Sequence, residues 1–211
     1  MDIGGLRSEY TRSALTEAGA GSDPLALFTT WLAEALASEE VEPNAMTLAT
    51  ATPGGVPSAR MVLLKGADER GFTFFTNYGS RKGRELAANP VAALVVYWAS
   101  LSRQVRVEGR VGRVTPAESA AYFATRPRGS RLGALASAQS AVIAGREVLE
   151  RRLAELEAAH PGDDVPMPAN WGGYRLVPDV IEFWQGRPNR LHDRLSFRRA
   201  GADWTRKRLA P

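Results

Sequence analysis

From Ala45 onward the chain is a series of short β-rich segments joined by tight turns, with few strand–helix–strand alternations. Tight turns join antiparallel neighbours, whereas parallel neighbours need crossovers of a dozen residues or more. Ala45–Ala51, Ser58–Lys65 and Phe72–Thr76 read as strands, with Pro53-Gly54-Gly55 and Asp68-Glu69-Arg70-Gly71 as turns. Ser80–Ala88 reads as a short helix capped by Ser80 and ended before Asn89-Pro90. Val91–Trp98 and Arg103–Val114 follow as longer strands. In the second, Val105, Val107 and Val111 alternate with Arg106 and Arg110, as on a strand with one wet face. Thr115-Pro116 starts another helix, and Gly145–Ala159 reads as a charged amphipathic one. Gly173–Gln185, Arg190–Arg198 and Trp204–Leu209 close the chain as strands. The expected fold class is mainly β with peripheral helices (α+β), an antiparallel barrel.

Ahead of the barrel, Asp23-Pro24 gives a helix its N-cap and N1 residue. Leu25, Phe28, Leu32 and Leu36 then share one helical face, which predicts an amphipathic core helix. Residues 1–22, rich in Gly, Ser and Ala, read as a flexible arm, and residues 23–211 as one domain.

Composition removes several chemistries. There is no cysteine, so disulfides and thiol catalysis are excluded, and two histidines make a histidine-built metal site an expected absence. Apolar runs such as Val91–Trp98 fall far short of a bilayer span, and the start carries no signal pattern, so a cytoplasmic protein without a membrane partner is expected. The net charge is +4, yet no run of five like charges appears, which favours small anionic ligands over nucleic acid. No Gly-x-Gly-x-x-Gly follows a strand, so a bound nucleotide's phosphate would be held by side chains rather than a glycine loop.

Cations recur where such side chains would be needed. Ser80-Arg81-Lys82 sits at a helix start, where backbone donors already favour an anion. Arg60 and Lys65 flank an apolar strand; five apart, they fall on opposite faces unless the strand ends or bulges before Lys65. Tyr122 and Arg126 align at helical spacing, and Pro127 breaks the helix so that Ser130 lies on the turn beyond, together a phosphate cradle. Arg190, His192 and Arg194 share one face if a strand starts after Asn189, which gives an anion-binding, proton-handling surface. Gln104, Gln139 and Ser140 add neutral hydrogen-bonding groups.

Together these stretches resemble the pyridoxine/pyridoxamine 5′-phosphate oxidase family almost end to end, from Arg7-Ser8-Glu9-Tyr10 to Arg208-Leu209-Ala210-Pro211. The likeness is carried by Arg60-Met61-Val62-Leu63-Leu64-Lys65, Phe75-Thr76-Asn77-Tyr78-Gly79-Ser80-Arg81-Lys82, Arg126-Pro127-Arg128 and Gln139-Ser140. It is strongest in Trp171-Gly172-Gly173-Tyr174, Glu182-Phe183-Trp184-Gln185-Gly186 and Arg190-Leu191-His192-Asp193-Arg194. The resemblance implies a split β-barrel homodimer with FMN at the subunit interface and a C-terminal dimerisation and substrate segment over about 171–211. It implies that Arg60 to Lys65, Phe75, Thr76, Arg81, Lys82, Gln104, Gln139, Ser140, Trp184 and Arg194 contact FMN. It places Lys65, Tyr122, Arg126 and Ser130 at the substrate phosphate, and Arg190, Leu191 and His192 over the pyridine ring, with Arg190 and His192 as catalytic residues. Arg7 and Tyr10 would form an N-terminal lid. The family usually has tyrosine where Phe75 stands. The implied reaction oxidises pyridoxine 5′-phosphate or pyridoxamine 5′-phosphate to pyridoxal 5′-phosphate, with O2 as acceptor, H2O2 as product and ammonia from the amine. A flavin- or deazaflavin-dependent reductase on the same barrel, or a non-catalytic flavin- or pyridoxal-phosphate-binding protein, are the alternatives.

Overall fold

The structure, a computed structural model, describes Met1, Gly5, Tyr10 and residues 14–211; Arg7 lies outside the described residues. In chain order the helices and strands are α1 (Glu17–Ala20), α2 (Pro24–Leu36), β1 (Ala45–Ala51), β2 (Pro57–Leu63), β3 (Gly66–Asp68), β4 (Gly71–Asn77) and α3 (Arg81–Ala88). Then come β5 (Val91–Trp98), β6 (Arg103–Arg113), α4 (Pro116–Thr125), α5 (Arg128–Ala136), α6 (Arg146–Ala159), β7 (Trp171–Gln185), β8 (Asp193–Ala200) and β9 (Asp203–Leu209).

Every strand pairing is antiparallel. The sheet runs β2-β1-β5-β6-β7-β4-β3, and β8 and β9 extend from β7. β2 and β3 stand at opposite ends of that order yet follow one another in the chain, so the sheet curls on itself and leaves a split where they meet. β7 is the spine. One edge pairs with β6 along its length; the other pairs first with β4, through Trp171 to Leu176, and then with β8, through Val180 to Gln185. The changeover falls at Pro178, which has no N–H for a ladder. There Glu108 pairs with Val180 and Gly109 with Pro178, so Asp179 is the extra residue of a bulge. Gly109 is required opposite it, because a Cβ there would stand 2.0 Å from the Val177 carbonyl oxygen.

α2 plugs the barrel. Asp23 caps it through Oδ1, accepting from the Leu25 N–H at 2.8 Å, with Pro24 in the first turn. The buried face is Pro24, Leu27, Phe28, Trp31 and Ala35. Phe28 stands edge-on to Phe72 at 4.9 Å, and Trp31 edge-on to Phe183 at 5.2 Å. Of the expected Leu25/Phe28/Leu32/Leu36 face, Phe28 is fully buried and Leu25 and Leu32 pack against the core, while Leu36 is corrected: it is 63% exposed. The buried face is turned towards Leu27 and the large Trp31 ring, which leaves Leu36 outside it.

Several expected strands shift by a residue or two at their ends, and two of the shifts bear on candidate site residues. The Ser58–Lys65 strand ends at Leu63, and the Arg190–Arg198 strand begins only at Asp193. Within the described part of residues 1–22, Leu15 is buried, its N–H donates to Asp193 Oδ2 at 3.1 Å, and Arg208 pairs with Glu17 at 2.7 Å. No described helix is long and apolar enough to cross a membrane.

Glu118 ties the helix layer to the sheet. It closes a capping box with Thr115 and takes ion pairs from Arg175 at 2.7 Å and Arg70 at 3.1 Å. The Arg175 hydrogen bond, then the Thr115 N–H, hold its carboxyl down at about 2, against an ordinary value of 4.5. A depressed carboxylate binds fewer protons folded than unfolded, so its stabilisation is complete above about pH 4.5 and is lost as pH falls towards 2. Melting temperature is expected to drop from pH 5 to pH 3, with a shallower drop in Glu118→Gln; equal slopes by circular dichroism would contradict this.

Candidate active site

A cleft of about 480 Å³ opens at the split of the barrel. The end of β2 supplies Met61, Val62 and Leu63, and Lys65 follows on the connection to β3. The strand ends before Lys65, which is why Lys65 can turn towards the cleft while Arg60 points elsewhere. β4 supplies Phe75 and Thr76, α3 supplies Lys82, and α4 and its end supply Tyr122 and Arg126. Ser130 also lines the cleft, but from the first turn of α5. The expected turn beyond Pro127 is thus corrected: Pro127 breaks one helix and starts the next, since its fixed φ suits a helix start.

The floor is aromatic. Phe75 stacks on Tyr122 at 4.0 Å and on Trp171 at 5.6 Å. A cation lies near each outer ring: Lys65 Nζ is 6.0 Å from the Tyr122 centroid, and the Arg126 guanidinium is 4.9 Å from that of Trp171. Phe75 fits because β7 carries Gly173 opposite it, where a Cβ would meet the Phe75 ring at 2.7 Å. In the sequence Trp171 stands out only as part of a motif; its place among the lining residues follows from its pairing with Asn77 across β4 and β7.

Two groups of cations lie at this floor, one lining it and the other reaching it only through Lys82, with Arg60 and Arg81 outside the lining. Arg126 is half-buried, and its Nη1 is a buried donor with no hydrogen-bond partner among the described residues. Such a donor is costly unless an acceptor arrives from outside the chain. The second cluster is Arg60, Arg81 and Lys82. Ser80 caps α3 through Oγ, which accepts from the Gly83 N–H, and the open helix start adds its own donors. Lys82 Nζ, buried at 7% exposure, donates to Thr76 Oγ1 and Gln139 Oε1, each at 3.2 Å. Burial, then the charge of Arg60, lower its pKa. Ser140, next to Gln139, is exposed and takes a positive φ of 72°. Leu64 is a core residue, 5% exposed, outside the cleft lining.

The remaining expected residues form a separate group at the far end of β7. Tyr97, Gln104, Trp184 and Arg194 make one row across β5, β6, β7 and β8. Glu182, 3% exposed, fixes Arg194 Nε at 2.9 Å and Arg106 Nη2 at 2.8 Å. His192 lies 4.6 Å from Trp184 and 5.5 Å from Tyr10, and Tyr10 stands edge-on to Trp184 at 5.7 Å. Burial, then nearby Arg190, lower the His192 pKa, and Nδ1 accepts from the Arg187 N–H at 3.1 Å, so the neutral ring carries its proton on Nε2.

The expected shared strand face of Arg190, His192 and Arg194 is corrected here. Pro188–Arg190 is a 3-10 turn in which Asn189 and Arg190 have φ of 57° and 60°. Pro188 gives no N–H to a ladder, and Asn tolerates the left-handed region, so alternation begins only at Asp193. Arg190 and Leu191 are exposed on this turn.

Trp171 and Trp184 are thirteen residues apart on one strand, roughly 40 Å of contour at about 3.3 Å per residue. The cleft and the Trp184 group therefore lie at opposite ends of β7.

Known proteins resemble this chain along nearly its whole length. The family model described as pyridoxamine 5′-phosphate oxidase matches residues 32–160, and that of the pyridoxine 5′-phosphate oxidase C-terminal dimerisation region matches residues 171–211. A pyridoxine/pyridoxamine 5′-phosphate oxidase of Rubrobacter xylanophilus is 63% identical over 100% of this chain and 97% of its own. That of Thermosynechococcus vestitus is 60% identical over 99% of each. Among solved structures, PhzG from Burkholderia lata 383, in complex with tetrahydrophenazine-1-carboxylic acid, is 36% identical with a TM-score of 0.86, over 90% of this chain and 94% of that one. The two matched regions together take in all but a few of the residues of the cleft and of the Trp184 end, and on that evidence the chain belongs to the pyridoxine/pyridoxamine 5′-phosphate oxidase family.

Proposed function

We propose that the protein oxidises pyridoxine 5′-phosphate or pyridoxamine 5′-phosphate to pyridoxal 5′-phosphate with FMN as cofactor, as a homodimer whose two sites are each built from both copies. The observation that carries the reading is one aromatic cleft lined by Arg126 and Lys65 and also by Lys82, which has Arg60 and Arg81 near it outside the lining. The group of Arg60, Arg81 and Lys82, at a helix start, suits the single phosphate of FMN. The group of Arg126 with its unpartnered buried Nη1, and Lys65 and Ser130 beside it, suits the phosphate of the substrate.

When bound, FMN would supply two-electron oxidation at the substrate carbon bearing the alcohol or amine, with O2 as final acceptor and H2O2 released. The chain's own part is orientation. Two phosphate anchors fix the ends of two flat molecules, so that the rings can only lie against one another, and holding partners in a reactive geometry is a large share of a rate enhancement. Met61, Val62 and Leu63 give the apolar wall that keeps water off the reacting face. His192, neutral with a proton on Nε2, and Arg190 would come from the other copy, since neither lines the cleft of its own chain. Met61, 62% exposed, and Leu63, 38% exposed, are the apolar surface such a copy would cover.

The test is to purify the protein, release its flavin by heat and identify it by chromatography, then add pyridoxine 5′-phosphate to the holoenzyme and follow peroxide. FMN in stoichiometric amount and peroxide release are expected. FAD in its place, or bound FMN without peroxide from either the alcohol or the amine, would sink the reading.

A further inference from the structure

Behind the Arg60, Arg81 and Lys82 cluster lies a carboxylate that the proposed reaction does not use. Glu85 sits one turn along α3 from Arg81 and is 6% exposed. It accepts from Thr50 Oγ1 at 2.5 Å, Ser58 Oγ at 2.6 Å and Arg81 Nε at 2.9 Å, and pairs with Arg60 Nη2 at 3.3 Å. Thr50 and Ser58 face each other across β1 and β2. Both also receive Arg60, whose Nη1 donates to Thr50 at 2.5 Å and whose Nη2 donates to Ser58. One carboxylate thus joins a helix to two strands through the very side chains that would meet the FMN phosphate. Burial would raise its carboxyl, yet the hydrogen bonds from Ser58, Thr50 and Arg81 prevail and hold it at about 2, so it stays charged across the working range.

A negative charge beside an anion site has two opposed effects. It repels the phosphate, and it holds in place the cations that attract it. Without it, Arg60, Arg81 and Lys82 would repel one another, and Arg81, whose side chain is 57% exposed, would be free to turn to water. With it, the cluster keeps two net positive charges from three cations and one carboxylate. Its guanidiniums are fixed before the ligand arrives, so less order is lost on binding.

We infer that Glu85 is a positioning residue for the cofactor phosphate, acting through Arg60 and Arg81, and that removing its charge weakens FMN rather than strengthening it. This rests on the FMN reading above.

The experiment compares FMN with riboflavin, which lacks only the phosphate, by fluorescence titration of the apoprotein. For wild type, FMN is expected to bind much more tightly than riboflavin. In E85Q, which keeps the side chain's shape, the FMN Kd is expected to rise about tenfold while that of riboflavin stays within about twofold, as for loss of a preorganised charge-assisted contact. FMN binding unchanged or tightened in E85Q overturns the proposal, because repulsion would then outweigh ordering. Equal weakening of both flavins overturns it too, because the role would be general support of the fold. A wild type that binds FMN no better than riboflavin overturns the phosphate cradle itself, and with it this inference. If E85Q fails to fold by circular dichroism, Ser58→Ala removes one donor to Glu85 and should shift the FMN-to-riboflavin ratio the same way, by about threefold; an unchanged ratio overturns the proposal.

Discussion

Arg126→Ala is expected to lower kcat/KM for pyridoxine 5′-phosphate by roughly a hundredfold while leaving FMN bound, because a charge-assisted contact to a buried donor is worth about 1.5–3 kcal/mol. The loss belongs at the upper end of that range for two reasons. Nη1 is buried and lacks a partner among the described residues, so nothing within the described chain competes with an incoming phosphate. The guanidinium also lies 4.9 Å over Trp171 and 5.7 Å from Phe123, and alanine removes that packing. Lysine at 126 should recover only part of the loss, since an ammonium can carry the charge but not the planar fork. Anaerobic stopped-flow reduction, with flavin occupancy measured beside it, is the check. If the variant loses FMN but shows an unchanged KM, Arg126 belongs to the other phosphate.

Much of the fold is legible in the amino-acid sequence because its signals are local. The bounds of β1 and β5 coincide with the periodic segments, and Asp23, Ser80 and Thr115 cap the helices whose starts they mark. A cap needs only its own turn, and a strand's alternation only its own pleat. What stays illegible depends on distant partners. The spacing in α2 marks Phe28, Leu25 and Leu32, but that Trp31 turns in and Leu36 turns out depends on Phe183 of β7. The left-handed Asn189–Arg190 pair is hidden because period-two spacing in Arg190-Leu191-His192-Asp193-Arg194 imitates a strand. Glu85 gives no signal, since one glutamate in a charged helix looks like any surface residue until Thr50, Ser58 and Arg60 close over it. Family resemblance gathers the cleft residues and the Trp184 group into one site. The sequence holds no measure of the distance between them, which depends on β7 continuing through its bulge at Asp179.

That separation leads to the second large effect. Arg126→Ala lesions the cleft and Arg190→Ala the 3-10 turn beyond β7, and each alone should leave a few per cent of wild-type activity or less on the energies above. Suppose each site takes its cleft from one copy and its Trp184 end from the other. Random pairing of the two variants then gives half the dimers as hybrids, and every hybrid has one site with both lesions and one with neither. About a quarter of wild-type activity should therefore return on mixing, by the symmetry of a two-fold dimer. Refolding the variants together from denaturant, or co-expressing them with different tags and purifying through both, supplies the hybrids; the doubly tagged species should show about half of wild-type activity. A site complete within one chain predicts something quite different, the plain average of two crippled parents. The control is a pair on the same side, Arg126→Ala with Lys65→Ala, both lining one cleft. In that hybrid each cleft carries a lesion whichever copy completes it, so no activity should return. Recovery in the first pair without recovery in the second would require residues some 40 Å of strand apart to meet across two chains. Recovery in neither would place Arg190 back in the site of its own chain and overturn the composite arrangement.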